Sequence, residues 1–305
     1  MKPNSPRCDL FILSAVTDLS FLKFTIPHQL KQCKVNGKRV LRIDTSPVSG
    51  YYKNHRELSR LSELKDLGNN LLNKGLIDEV LQIDYNQELI NSAYRKHFGK
   101  NFPETHCFRG YPYYGSILPF ESSDSEYIAH LDSDMLIYQE EGFDWIKESI
   151  EIMENNSDIL CCLPLSGPPT QNGSLIQGIS KYDFDSDRNV YLFKNFTSRI
   201  FIINQKRFSS LLPMDILWLS WREKIKSKIL GCGKLLCWEA SVSNALEKSC
   251  YYRADLASKS AWSLHPYERS ERFYKNIEYL TKSIESGFFP DKQAGQYELV
   301  LDWWV

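Results

Sequence analysis

Two carboxylates one residue apart, Asp132 and Asp134, stand in the stretch Tyr127-Ile128-Ala129-His130-Leu131-Asp132-Ser133-Asp134-Met135-Leu136-Ile137. A mostly apolar run climbs to the pair, and apolar residues resume after it. The run reads as a buried strand of a parallel sheet, set off by the polar cluster from Glu121 to Glu126. Asp132 and Asp134 then fall where the strand leaves the sheet, the edge at which ligands of open α/β sheets collect. Two carboxylates are costly to hold together there unless a cation or a polar substrate group offsets their repulsion. A metal ion that also holds a diphosphate is the simplest such partner.

Other residues have chemistry within reach. Lys38 to Asp44 reads as a second strand closing on a carboxylate, a position from which Asp44 can accept hydrogen bonds from a base or ribose. It serves equally as a turn former before Thr45-Ser46-Pro47. The first turn, Ser14-Ala15-Val16-Thr17-Asp18, lacks GxGxxG, which disfavours a dinucleotide site of the Rossmann type. Glu239 opens a helix, either as a base or as a first-turn acid favoured by the helix dipole. Arg199 is placed to reach a phosphate or to form a surface ion pair. Asp183, Asp185 and Asp187 imitate an EF-hand loop, but Arg188 and Lys194 stand where glycine and glutamate belong, which disfavours calcium.

The elements that must position these residues alternate strand and helix. Leu10 to Val16 reads as a buried strand, Phe21 to Cys33 as a helix interrupted by Pro27, and Leu58, Leu61, Leu64, Leu67 and Leu71 as an apolar helical stripe. Leu76 to Ile83 is a third strand, followed by a helix ending near Gly99 and then loop signals from Phe102 to Tyr114. Phe143, Ile146, Ile150 and Met153 mark another helix, and Ile159 to Leu163 another strand. The polar segment from Thr170 to Lys194 reads as a functional loop or lid. Arg199 to Asn204 is a strand, Leu211 to Leu230 a helix rich in tryptophan and lysine, and Glu239 to Lys248 a helix.

Composition bounds the answer without choosing it. The chain has 305 residues, 42% hydrophobic and 25% charged, as expected of a soluble globular protein. A formal net charge of −1 gives no reason to expect nucleic acid as a partner. The apolar run Leu10 to Val16 is too short for a signal or membrane segment. Eight cysteines without a CxxC pair suit a reducing compartment and disfavour zinc. The expectation is a cytoplasmic protein, with room for peripheral membrane association and with its oligomeric state open.

Three distant segments together resemble the GT-A glycosyltransferases, closest to the family 2-like inverting enzymes. Leu131-Asp132-Ser133-Asp134 looks like their DxD motif. Trp238-Glu239 is similar to the acidic motif that supplies their base, although the family usually has two acids there. Ala261-Trp262-Ser263-Leu264-His265 resembles the strand that ends in a metal-binding histidine. The likeness spans roughly Asp9 to His265.

It implies a mostly parallel central sheet flanked by helices, with residues 1–268 as the transferase domain. The nucleotide-binding half would cover about 1–137 and the acceptor half about 138–268, leaving 269–305 as a helical, aromatic-rich extension. By the resemblance, Val16, Asp44, Asp132, Ser133 and Arg199 would bind a nucleotide-sugar donor. Asp134 and His265 would ligate Mn²⁺ or Mg²⁺, and Glu239 would deprotonate the hydroxyl of a saccharide or lipid-linked acceptor. Two rival readings are a non-catalytic relative that kept the fold, and a DxD phosphatase. The phosphatases carry their motif on the first strand, whereas three strands precede Asp132 here.

Overall fold

The computed structural model describes residues 6–47, 60–176, 181–229 and 232–305. In chain order come β1 (Cys8–Ser14), α1 (Leu19–Gln32), β2 (Arg39–Ile43), α2 (Leu61–Asn73), β3 (Glu79–Gln82), α3 (Gln87–Phe98), α4 (Tyr113–Ser122) and β4 (Tyr127–Asp132). Then follow β5 (Leu136–Gln139), α5 (Trp145–Asn155), β6 (Ile159–Leu163), β7 (Leu165–Ser166), β8 (Asp183–Asp185), β9 (Val190–Phe193), β10 (Ile200–Asn204) and α6 (Gln205–Ser209). The chain closes with α7 (Trp221–Ile229), α8 (Trp238–Glu247), β11 (Tyr252–Leu256), β12 (Ala261–Pro266), α9 (Glu271–Glu285) and β13 (Glu298–Leu299).

The main sheet has the order β3-β2-β1-β4-β10-β6-β11-β9-β8. Its first four strands are parallel, and the apolar runs of the inner strands β1 and β4 suit strands covered on both faces. Beyond them the sheet is mixed. β10 runs antiparallel to both β4 and β6, β6 and β11 are parallel, and β9 and β8 are again antiparallel. In register, Leu13 of β1 pairs with Asp132 of β4, and Ser14 pairs with Ile43 of β2. The first turn, Asp44 and the aspartate pair therefore emerge at one sheet edge. A smaller sheet, β13-β12-β5 with β7 alongside β12, closes over that edge.

Three segments depart from the sequence expectation, each for a local reason. α4 lies where loop signals run into the polar cluster. Gly115 and Pro119 disguise it, yet Tyr113, Tyr114, Ile117 and Phe120 are buried at helical spacing. The expected lid from Thr170 to Lys194 contains the β8–β9 hairpin, whose strand β9 is wholly buried. Among the described residues between 211 and 230, only Trp221–Ile229 is helical. Leu217 and Leu219 instead exchange backbone hydrogen bonds with Leu236 and Lys234. The leucine stripe holds from Leu61 onward in α2, while Leu58 lies outside the described residues.

The C-terminal segment does contain a helix, and that helix packs into the main core. Phe273, Ile277, Leu280 and Ile284 of α9 are fully buried against α1 and β5. Its last turn is clamped by Glu285, which accepts from His28 Nδ1 at 2.9 Å and Lys31 Nζ at 2.5 Å. Among the described residues, no helix is long and apolar enough to cross a membrane.

The Glu285 clamp gives a pH-dependent stability. Its hydrogen bond from His28, helped by Lys31 against the opposing effect of burial, holds the carboxyl down at about 2. A depressed folded-state pKa contributes stability above the unfolded value near ~4.3 that is lost as pH falls towards 2. Glu285→Gln is expected to lower the urea midpoint at pH 7, and the difference from wild type should shrink steadily below about pH 4. A difference independent of pH would show that the clamp acts by packing alone.

Candidate functional site

The site begins with Asp134, whose side chain has no exposure. A carboxylate this deep needs a fixed cation, and Arg269, in the turn between β12 and α9, supplies one. Its Nε donates to Asp134 Oδ2 at 2.9 Å, its Nη2 donates to the same oxygen, and its Nη1 donates to Asp18 Oδ1 at 3.1 Å. Asp18 Oδ2 in turn accepts from Ser133 Oγ at 2.8 Å and from the Ala15 amide at 2.9 Å. One guanidinium thus ties the first turn to the aspartate motif. Burial pushes the Asp134 carboxyl up, but Arg269 and His265 outweigh it, so Asp134 lies below the usual carboxylate range. Asp18 ends above that range, because burial exceeds the help it gets from Arg269.

Asp132 closes β4 with its side chain about one-third exposed. Burial of the carboxyl, reinforced by the charge on Asp134, pushes it up to about 7. Its amide donates to the Arg199 carbonyl at 2.7 Å, and its own carbonyl accepts from Gln29 Nε2 at 2.9 Å. The backbone under the motif is therefore fixed by the chain entering β10 on one side and by helix α1 on the other.

His265 ends the small sheet's central strand beside Glu298 of β13. Its Nδ1 lies 2.7 Å from Glu298 Oε2 and its Nε2 lies 3.6 Å from Asp134 Oδ2. Glu298 also accepts from Arg199 Nη1 at 2.8 Å. Asp44, at the far end of the edge, accepts from Tyr85 Oη at 2.8 Å and the Ser46 amide at 2.9 Å, with His106 Nε2 at 3.1 Å. Burial raises the Asp44 carboxyl, but these hydrogen bonds, that from His106 foremost, leave it below the ordinary value.

These side chains line two adjoining lobes of one cleft. Val16, Asp18, Asp44, Asp132, Ser133 and Arg269 surround the first. His130, Asp132, Arg199, Glu239, His265 and Arg269 are on the wall of the second. Glu239, in the first turn of α8, accepts from the Ser198 amide at 2.8 Å and from Ser198 Oγ at 3.2 Å. It also borders a larger groove, lined by Phe108, Tyr182, Lys194, Asn195, Asn244 and Tyr252.

The donor set suits a hard divalent ion that arrives with its own oxygens. Asp134 Oδ1 is buried with no hydrogen-bond partner, and the His265 ring is oriented by Glu298. Among the described residues, no three His, Cys, Asp or Glu side chains are grouped to hold a metal by themselves. Two protein ligands completed by phosphates and water are the usual pattern for magnesium-like ions.

All eight residues that the resemblance assigns to the site line this cleft or, for Asp134, lie buried beside it. Sequence reasoning missed Arg269, Glu298 and His130. Only Arg269 left a trace, four residues beyond His265.

No known protein-family pattern matches the chain, and no curated protein matches it in sequence. Among solved structures it is similar to GalNAc-T7 crystallised with UDP, GalNAc and Mn²⁺, with a TM-score of 0.51 and 12% sequence identity. The match covers 90% of this chain and 48% of that one, so the chain spans about half the length of its structural relative. The fold is GT-A.

Arg269→Met would strand the Asp134 charge in the interior. The expected loss is about 2–4 kcal/mol at pH 7, below the full value for a broken buried pair because Arg269 is one-third exposed. Adding Asp134→Asn to that variant should recover part of the loss in urea unfolding. No recovery would show that Arg269 acts by packing.

Proposed function

We propose that this protein transfers a sugar from a nucleoside-diphosphate sugar to an acceptor hydroxyl, with inversion at the anomeric carbon. The observation that carries the reading is the position of Glu239. It stands on the wall shared by the lobe containing Asp132, His265 and Arg269 and by the larger groove. A carboxylate between a donor cleft and an acceptor groove is where a general base must lie for in-line attack. The groove mixes aromatic faces with amide and charged groups, which suits a saccharide, free or lipid-linked. Support also comes from the fold it shares with a protein whose structure holds UDP, GalNAc and Mn²⁺.

The residues take roles that their surroundings favour. Asp44 and the backbone of the first turn, including Val16, would receive the nucleoside, and Ser133 would keep Asp18 in place below it. Asp132 would meet the ribose. Arg199 and Arg269 would set positive charge beside the phosphates, Arg269 as a fixed charge whose fork is committed to Asp134 and Asp18. Asp134 and His265 would hold Mn²⁺ or Mg²⁺, and a metal there neutralises charge on the departing diphosphate. Glu239, steadied by Ser198, would take the proton from the acceptor hydroxyl. On this reading residues 1–137 serve mainly the nucleotide and 138–268 the acceptor, and His265 and Arg269 return to the donor side.

A thermal-shift panel of UDP, GDP, TDP and CMP with and without Mn²⁺ tests the donor site. At least one nucleotide should raise the melting temperature in the presence of metal, and the reading fails if none does. With a donor identified, Glu239→Gln should lower transfer by ~10²–10⁴-fold while nucleotide affinity is retained. Unchanged turnover would remove Glu239 as the base.

A further inference from the structure

From inside the sheet to the cleft wall runs a polar chain that none of the roles above uses. Arg42 of β2 is fully buried. Its Nη1 donates to the Gly115 carbonyl and its Nη2 donates to His130 Nδ1 at 2.7 Å, while its Nε has no partner. A guanidinium carries only donors. His130 Nδ1 must therefore be an acceptor, and the ring proton must sit on Nε2. That nitrogen lies 3.2 Å from Asp132 Oδ1. Burial, and next the charge on Arg42, hold the imidazole neutral, well below the ordinary histidine range.

A charge as deep as that on Arg42 is expensive unless an opposite charge faces it. The nearest one across the ring is Asp132, whose charge favours the protonated guanidinium. The ring itself is wedged against Phe201, with centroids 5.0 Å apart and planes nearly parallel. Its tautomer and its plane are both fixed before any ligand arrives. The ring stands on the same cleft wall as Asp132 and as Ser198, the residue that anchors Glu239.

We propose that His130, locked in one tautomer by Arg42, is a positioning residue that commits one oxygen of Asp132 and leaves the other aimed at the donor. The inference rests on the donor-site reading above. It adds that the aspartate's orientation is set by a histidine of the cleft wall and by Arg42 buried behind it. An unsupported Asp132 would swing among rotamers and bind ribose or metal-bound water less well.

Two measurements test it on the full chain. The ¹⁵N shifts of the His130 ring should show a protonated Nε2 and an unprotonated Nδ1, and Arg42→Met should abolish that fixed preference. A ring protonated on Nδ1 in the wild type overturns the relay outright. In the second, the affinity for UDP with Mn²⁺ is compared in His130→Phe, which keeps the ring stack but has no donor, and His130→Gln, whose amide can donate to Asp132. The Phe variant should bind about ten- to a hundredfold more weakly, the loss expected for a hydrogen bond to a charged group. The Gln variant should regain most of that affinity, whereas a purely structural role would give equal losses in both. Wild-type affinity in the Phe variant overturns the proposal. A wild-type protein that binds no nucleotide overturns the donor-site reading instead, and the ring shifts then judge the relay alone.

Discussion

The structure depends on one interaction, the fork that Arg269 places on Asp134 and Asp18. Three carboxylates, Asp18, Asp132 and Asp134, converge at the ends of β1 and β4, and the second of the motif pair has no access to water. Without a cation between them the edge could not close. Arg269 resolves this with three hydrogen bonds from one side chain and leaves a single buried carboxylate oxygen without a partner. The sheet edge is thus stable yet still able to accept a further positive group.

That fork explains why the last residues are built into the core. Arg269 can hold Asp134 only if the turn after β12 is rigid. The turn is fixed on one side by β12 pairing with β5 and on the other by α9, whose apolar stripe packs on α1. β13 then brings Glu298 to His265 and Arg199. The segment expected as an extension supplies the residues that orient the expected metal ligand, so its packing and the site's geometry are one problem.

The parts legible in the sequence were those written locally. The apolar climb to Asp132 fixed β4 and its edge, and the carboxylate ending Lys38 to Asp44 placed a second residue on that edge. The strand through His265 and the helix opening at Glu239 were also readable from neighbours along the chain. Arg42 was not, because within Arg39-Val40-Leu41-Arg42-Ile43 it looks like an outward-facing polar position of an alternating strand. His130 hides in the same way within β4. Glu298 pairs with a residue thirty-three positions away, a distance at which only tertiary structure decides. Helix α4 was hidden by a glycine and a proline that its burial overrides.

The account reduces to the claim that this edge is a diphosphate site organised around Asp134. The most direct measurement is a crystal structure with Mn²⁺ and a nucleoside diphosphate, with data collected for the metal's anomalous signal. The account predicts an anomalous peak bonded to Asp134 and His265, the diphosphate upon it, and the nucleoside in the lobe beside Asp44. A nucleotide bound elsewhere, or metal remote from Asp134, would contradict it.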